Sequence, residues 1–183
     1  MKRLAILVAI FLAGCTSPRP IPTYSAVPDF SLTERSNRTI SRKDLDGKVW
    51  VADFIFTHCG GICPAMSSNM EKLQTLLPKE VMLVSFSVDP ANDTPDVLSE
   101  YAKRYNADPK RWLFLTGDPA ALQKLSINGF KLALDATSGT EAEPITHSSR
   151  FALVDRQGNI RGYYGMEDAD TLDRIAADVK NLL

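Results

Sequence analysis

The sequence predicts a single α/β domain, a three-layer sandwich in which helices cover both faces of a largely parallel sheet. Three observations point there. Short runs rich in β-branched and aromatic residues, Lys48–Thr57, Val81–Val88 and Trp112–Thr116, alternate with stretches whose apolar residues recur at helical spacing. A capping residue followed by proline, Thr94-Pro95 and Asp118-Pro119, opens a helix after two of these runs, and Pro64 suits a first helical position after the other. Hydrophobic residues make up 44% of the chain, ample for one core, and the net charge of −1 carries no nucleic-acid footprint.

The chain begins with Lys2 and Arg3, followed by an apolar run from Leu4 to Gly14. At ~1.5 Å per residue such a run spans about half of a ~30 Å hydrocarbon core, so residues 1–14 read as a secretory signal rather than a membrane span. Leu12-Ala13-Gly14-Cys15 resembles the bacterial lipobox, which makes Cys15 a lipidation site; an ordinary signal peptide cleaved nearby is the alternative. Residues 15–26 then form a lipidated N-terminus and a Pro-rich extended tether. The expected location is the bacterial cell envelope, with the domain of residues 27–183 facing the periplasm or the exterior.

Within that domain, Val27–Thr33 and Arg38–Ile40 predict a hairpin, and Ser41–Leu45 one helical turn closed by Asp46-Gly47. Strand Lys48–Thr57 leads through the cysteine segment to helix Pro64–Leu77. Strand Val81–Val88 leads through Asp89–Asp93 to a helix with Val97, Leu98, Tyr101, Ala102 and Tyr105 on one face. After Trp112–Thr116, a helix runs from Pro119 to about Ser126, and Ala136–Pro144 is a polar loop. Strands Ser149–Asp155 and Ile160–Tyr164 flank the turn Arg156–Asn159, and Asp168–Leu183 is an amphipathic helix. Hairpin, βαβαβα, then ββα describes a thioredoxin-like sandwich with an N-terminal hairpin and an insertion before the last strands.

The chemistry concentrates in Thr57-His58-Cys59-Gly60-Gly61-Ile62-Cys63-Pro64, between strand and helix. Of three cysteines, lipidation would consume Cys15 and leave Cys59 and Cys63 in an oxidising compartment. A helix N-terminus favours thiolate, so lowered thiol pKa values are expected there. The spacing is C-x-x-x-C, not C-x-x-C, and on a helix positions i and i+4 share a face, so both sulfurs can meet one ion. Thiolates select Cu(I), zinc or iron–sulfur, yet two cysteines leave any such site incomplete. The chain has two histidines. His147, just before a core strand, faces the cysteine junction in this fold and completes an S₂N set suited to trigonal Cu(I); a surface loop histidine is the alternative. His58 points elsewhere if the strand continues, and serves as a supporting group. Met66 and Met70 have soft sulfurs, but their helical spacing places them in the core. Asp89 ends a strand at the carboxyl edge of the sheet, as a functional group or as a turn residue before Pro90.

Asp53-Phe54-Ile55-Phe56-Thr57-His58-Cys59 with Cys63-Pro64, Ser87-Val88-Asp89-Pro90 with Asp93-Thr94-Pro95, and Thr146-His147-Ser148 with Leu153-Val154-Asp155 occur in one order. In these segments the chain resembles the Sco/SenC family of copper-binding thioredoxin-like proteins, over nearly all of residues 27–183. The resemblance implies copper, as Cu(I), Cu(II) or both, on Cys59, Cys63 and His147, with Asp89 helping metallation. The implied task is delivering copper to, or reducing the cysteines of, the dinuclear copper (CuA) centre in cytochrome c oxidase subunit II. Another copper protein as acceptor, a thiol–disulfide reductant and the membrane complete the implied partners. Gly60-Gly61 departs from the commoner Pro-Asp, and a lipid stands where many relatives use a transmembrane helix.

The competing reading is an extracytoplasmic thiol–disulfide oxidoreductase without stable copper, in which Cys59 and Cys63 are redox-active thiols. Thioredoxin-type reductases want C-x-x-C and a cis-proline where Ser148-Ser149 stand, and peroxiredoxins want a Pro-x-x-x-Thr-x-x-Cys motif that neither cysteine has. The two roles are compatible, because a thiol pair that binds Cu(I) can also exchange disulfides.

Overall fold

A computed structural model of the chain describes residues 20–135 and 145–183. The signal segment, the lipobox with Cys15 and the polar loop Ala136–Pro144 lie outside the described residues.

The elements follow in the order β1 (Ser31–Glu34), β2 (Thr39–Ser41), a 3₁₀ turn (Arg42–Leu45), β3 (Trp50–Ile55) and α1 (Cys63–Leu76). Then come β4 (Met82–Ser87), α2 (Pro95–Arg104), β5 (Trp112–Thr116), α3 (Pro119–Lys124) and a π-helical turn (Leu125–Gly129). The chain closes with β6 (Leu134–Asp135), β7 (Thr146–His147), β8 (Arg150–Val154), β9 (Ile160–Gly165) and α4 (Thr171–Lys180). Among the described residues seven strands form one sheet in the order β2-β1-β5-β4-β3-β8-β9, with β3, β4 and β5 parallel and a hairpin at each edge. The predicted N-terminal hairpin thus joins the main sheet, β1 pairing antiparallel with β5.

All residues of β3, β4 and β5 are buried, which is why these strands read as unbroken apolar runs. Alternation along β3 sends Trp50 and Phe54 to one face, where Phe54 stacks on Phe86 and the edge of Phe130 closes the layer. Phe130 follows the π-helical turn, so α3 and that turn cover this face. Gly129 allows the close approach, since a Cβ there would lie 2.9 Å from the Pro28 ring. The other face carries Asp53, Ser85 and Trp112 beneath α1 and α2, which are joined by the Ser67–Tyr101 hydroxyl bond of 2.8 Å. Helix α4 packs beside α1.

Helix α2 begins as its sequence suggests, Thr94 Oγ1 accepting from the Val97 amide at 3.4 Å, and in α3 Asp118 accepts from Ala121 at 2.8 Å. Helix α1 has no side-chain cap at Ile62. Residues 20–26 lie along β9: Tyr24 donates to the Ile160 carbonyl, and Arg161 donates to the Ile21 and Pro22 carbonyls at 2.8 and 2.9 Å. Asp155 holds the same guanidinium at 2.9 Å. Among the described residues no helix is long and apolar enough to cross a membrane.

Candidate metal centre

The site lies at the carboxyl end of β3. Past Ile55 the chain turns through Phe56–His58, and the Cys59 amide donates back to the Phe56 carbonyl at 3.4 Å. Cys63 is the first residue of α1. The two thiols are therefore brought together by a loop folding back onto a helix start, not by i, i+4 spacing within a helix as the sequence suggested.

His147 arrives from a distance of 84 residues. It pairs with Leu134 in the short β6–β7 ladder, and its ring packs edge-on against Phe56 at 5.7 Å between centroids. Nδ1 lies 3.2 Å from the Ser148 carbonyl, which can only accept, so this bond requires the proton on Nδ1. Nε2 lies 3.0 Å from Cys63 Sγ, and in a neutral ring with its proton on Nδ1 it carries the lone pair that a metal ion would take. The ligand atoms of Cys59, Cys63 and His147 all lie within 4.8 Å of one another. Bonds of ~2.3 Å to sulfur and ~2.0 Å to nitrogen, as at zinc, put trigonal ligand atoms about 4 Å apart, so small movements suffice to seat an ion. Both cysteines are free thiols.

The lowered thiol pKa expected from the helix start is reversed at Cys63. Burial pushes this thiol well above its ordinary value, and Cys59 and the Asp53 carboxyl push the same way, against the Phe56 backbone. Desolvation wins because Cys63 is 0% exposed, whereas a helix end supplies only ~0.3–1 kcal/mol at a typical surface site. A soft cation arriving between the thiols removes that obstacle by replacing their protons.

The remaining candidates fall outside the cluster. His58 is exposed, with Nδ1 3.1 Å from Thr57 Oγ1. Met66 and Met70 are fully buried in the core. Asp89 is half-buried at the end of β4, its carboxylate accepting from Asn92 at 2.7 Å. Two buried carboxyls near the site escaped sequence reasoning. Asp93 accepts from Thr57 and Ser87, and Asp53 accepts from Ser85 at 2.6 Å while burial raises its pKa to about 7. The available signal was an aspartate inside an otherwise apolar strand, Val51-Ala52-Asp53-Phe54-Ile55.

The SCO1/SenC family model matches residues 19–183. A SCO1 homologue of Bacillus subtilis is 35% identical over 181 residues, covering 96% of this chain and 92% of its own. The structure of BsSco, described as a cytochrome c oxidase assembly protein of the Sco family with a disulfide switch, is similar with a TM-score of 0.77 and 34% identity. That match covers 86% of this chain and 93% of BsSco. Bradyrhizobium japonicum ScoI, solved with copper bound, is similar with a TM-score of 0.72 and 26% identity, covering 87% of this chain and all of that one.

Proposed function

Because this chain belongs to the SCO1/SenC family, we propose that Cys59, Cys63 and His147 take up copper for assembly of the CuA centre in cytochrome c oxidase subunit II. The observation that carries the reading is the convergence of two sulfurs and one imidazole nitrogen within 4.8 Å. Two thiolates hold Cu(I), and the neutral imidazole adds a third donor that also suits Cu(II). Copper is cargo here, passed to an acceptor with soft ligands of its own, either subunit II or another copper protein. Copper in the B. japonicum relative and the oxidase-assembly role of BsSco support this reading.

The thiols also support a redox side to the task. Adjacent free cysteines can close a disulfide while reducing an acceptor's cysteines, after which a thiol–disulfide reductant reopens it. Copper titration of the full chain in detergent tests both readings. The reduced protein is expected to bind one copper ion per chain, and the Cys59–Cys63 disulfide form none. Equal uptake by the two forms would rule out a dithiolate site, and no uptake by either would leave the thiol–disulfide role alone.

We further propose that a lipid on Cys15 holds the domain at the outer side of a membrane in the cell envelope. With Ile21 and Pro22 held against β9 by Arg161, that lipid would sit at most ~20 Å from the docked segment, six residues at ~3.5 Å each. The lipid then keeps the domain close to the membrane surface. A Cys15→Ser variant is expected to lose lipid labelling and appear in the soluble fraction; membrane partition equal to the parent's defeats the anchor.

A further inference from the structure

Thr57, two residues before Cys59, is gripped by a carboxylate from another part of the fold. Asp93 is 0% exposed. Its Oδ1 accepts from the Thr57 hydroxyl at 2.6 Å, and both its oxygens accept from the Thr57 amide at 3.2 and 3.3 Å. Ser87, the last residue of β4, donates its hydroxyl to Oδ2 at 2.6 Å. Asp93 is itself fixed on both sides. Its amide donates to the Asp89 carbonyl at 2.9 Å, and the next residue, Thr94, caps α2. The burial of this carboxylate is thus offset by hydrogen bonds concentrated on the residue that launches the cysteine loop.

The loop needs such a fixed point. Cys63 is held by α1 and His147 by β7, whereas Cys59 is followed by Gly60 and Gly61, whose backbone is freer than that of any other residue pair. On its N-terminal side the loop is anchored through Thr57. We propose that Asp93, acting through Thr57, is a positioning residue that sets the Cys59 sulfur against Cys63 and His147. It thereby tunes both copper affinity and closure of the Cys59–Cys63 disulfide. The copper half of this inference rests on the proposed function; the disulfide half does not.

The experiment compares the full chain in detergent with its Asp93→Asn, Thr57→Val and Thr57→Ser variants. Asn keeps the shape but turns an acceptor into an N–H donor facing the Thr57 donors, and Val removes only the hydroxyl. Two quantities are read: copper affinity with the thiolate-to-Cu(II) absorption maximum, and the equilibrium constant of the Cys59–Cys63 disulfide with glutathione. In that exchange two glutathione thiols reduce the protein disulfide and leave as glutathione disulfide. Asp93→Asn is expected to weaken copper binding about 10–100-fold, the usual loss when a group behind a ligand is changed, and to shift the band. It should also make the disulfide about tenfold easier to reduce, because a loosened Cys59 meets Cys63 less often. Thr57→Val should show the same changes to a smaller degree, and Thr57→Ser should match the parent. Glu34→Gln, a buried carboxyl on β1 three strands from β3, controls for general destabilisation and should leave band and exchange constant unmoved.

If Asp93→Asn fails to fold, Thr57→Val carries the same two readouts. Parental exchange constants in the folded variants overturn the proposal, as does an equal displacement in Glu34→Gln. A parent that binds no copper removes the copper reading, while the exchange constant still decides the role of Asp93.

Discussion

Replacing His147 with alanine is expected to leave the fold and weak Cu(I) binding in place, and to abolish the thiolate-to-Cu(II) band and most copper transfer. Among the described residues the ring makes an edge-on contact with Phe56, worth ~0.5–1.5 kcal/mol beyond its buried area, and hydrogen bonds to Cys63 and the Ser148 carbonyl, none of which lies in the main sheet. For the metal it is decisive. The bond from Nδ1 to the Ser148 carbonyl orients the ring with Nε2 toward Cys63 Sγ, and no other nitrogen ligand joins the cluster among the described residues. Two thiolates remain to hold Cu(I), but Cu(II) loses the nitrogen ligand suited to it. His58→Ala is expected to change little, because that ring is exposed and among the described residues its hydrogen bond is to the Thr57 hydroxyl. Copper titration followed by visible absorption on both variants makes the comparison. A damaging His58→Ala beside a silent His147→Ala would mean that the motif alone assembles the site.

The sequence leaves His147 open between a ligand and a surface loop residue, and ties the place of His58 to a strand that in fact ends at Ile55; the fold separates the two for a physical reason. A residue just ahead of a core strand inherits a fixed position from the sheet, whereas the neighbour of a cysteine in a loop inherits none. The ladder that delivers His147 was not legible, because β6 and β7 have two residues each and leave no periodicity to read. The runs forming β3, β4 and β5 announced themselves by burial on both faces. The place of β1 beside β5 did not, since alternation along a strand says which face is buried but not which strand lies beside it. The helix-end argument for Cys63 misled because the sequence shows a helix start but not the burial that outweighs it. Asp53 and Asp93 escaped for the same reason. Whether a carboxyl is a solvated turn residue or a dry constraint depends on what covers it.

Asp53 supplies the second large effect, in the pH dependence of stability. It lies in the middle of β3 with Oδ1 accepting from Ser85, whose Oγ in turn accepts from the Trp112 indole at 2.9 Å. Its Oδ2 has no hydrogen-bond partner among the described residues. Burial raises the carboxyl to about 7, opposed among the described residues by the Ser85 bond and the local backbone. Between an unfolded value of ~3.9 and this folded value, the native state keeps a proton that the unfolded chain has lost. Stability therefore falls as pH rises through that window, by up to ~1.4 kcal/mol per unit. The cumulative penalty at pH 8 is of order 4 kcal/mol, of which roughly 2–3 develops above pH 5. Asp155, whose carboxyl is lowered by hydrogen bonds from Asn159 and Arg161 despite its burial, titrates below this range and does not mask the effect. Asp93 is raised by burial and adds to the slope with the same sign, so the parent alone does not isolate Asp53. Asp53→Asn does, because the amide fills the same space without a proton to lose. Urea unfolding of the reduced, metal-free chain at pH 5 and pH 8 should show a clear loss of stability in the parent. The variant should be flatter and more stable at pH 8 by roughly 2–4 kcal/mol. An unchanged slope in Asp53→Asn would mean that the carboxyl is ionised across the whole range. The consequence reaches the metal centre, since the Asp53 charge is among the influences raising the Cys63 thiol. A proton held on Asp53 spares the site a third negative charge beside the two thiolates that form when copper replaces the thiol protons.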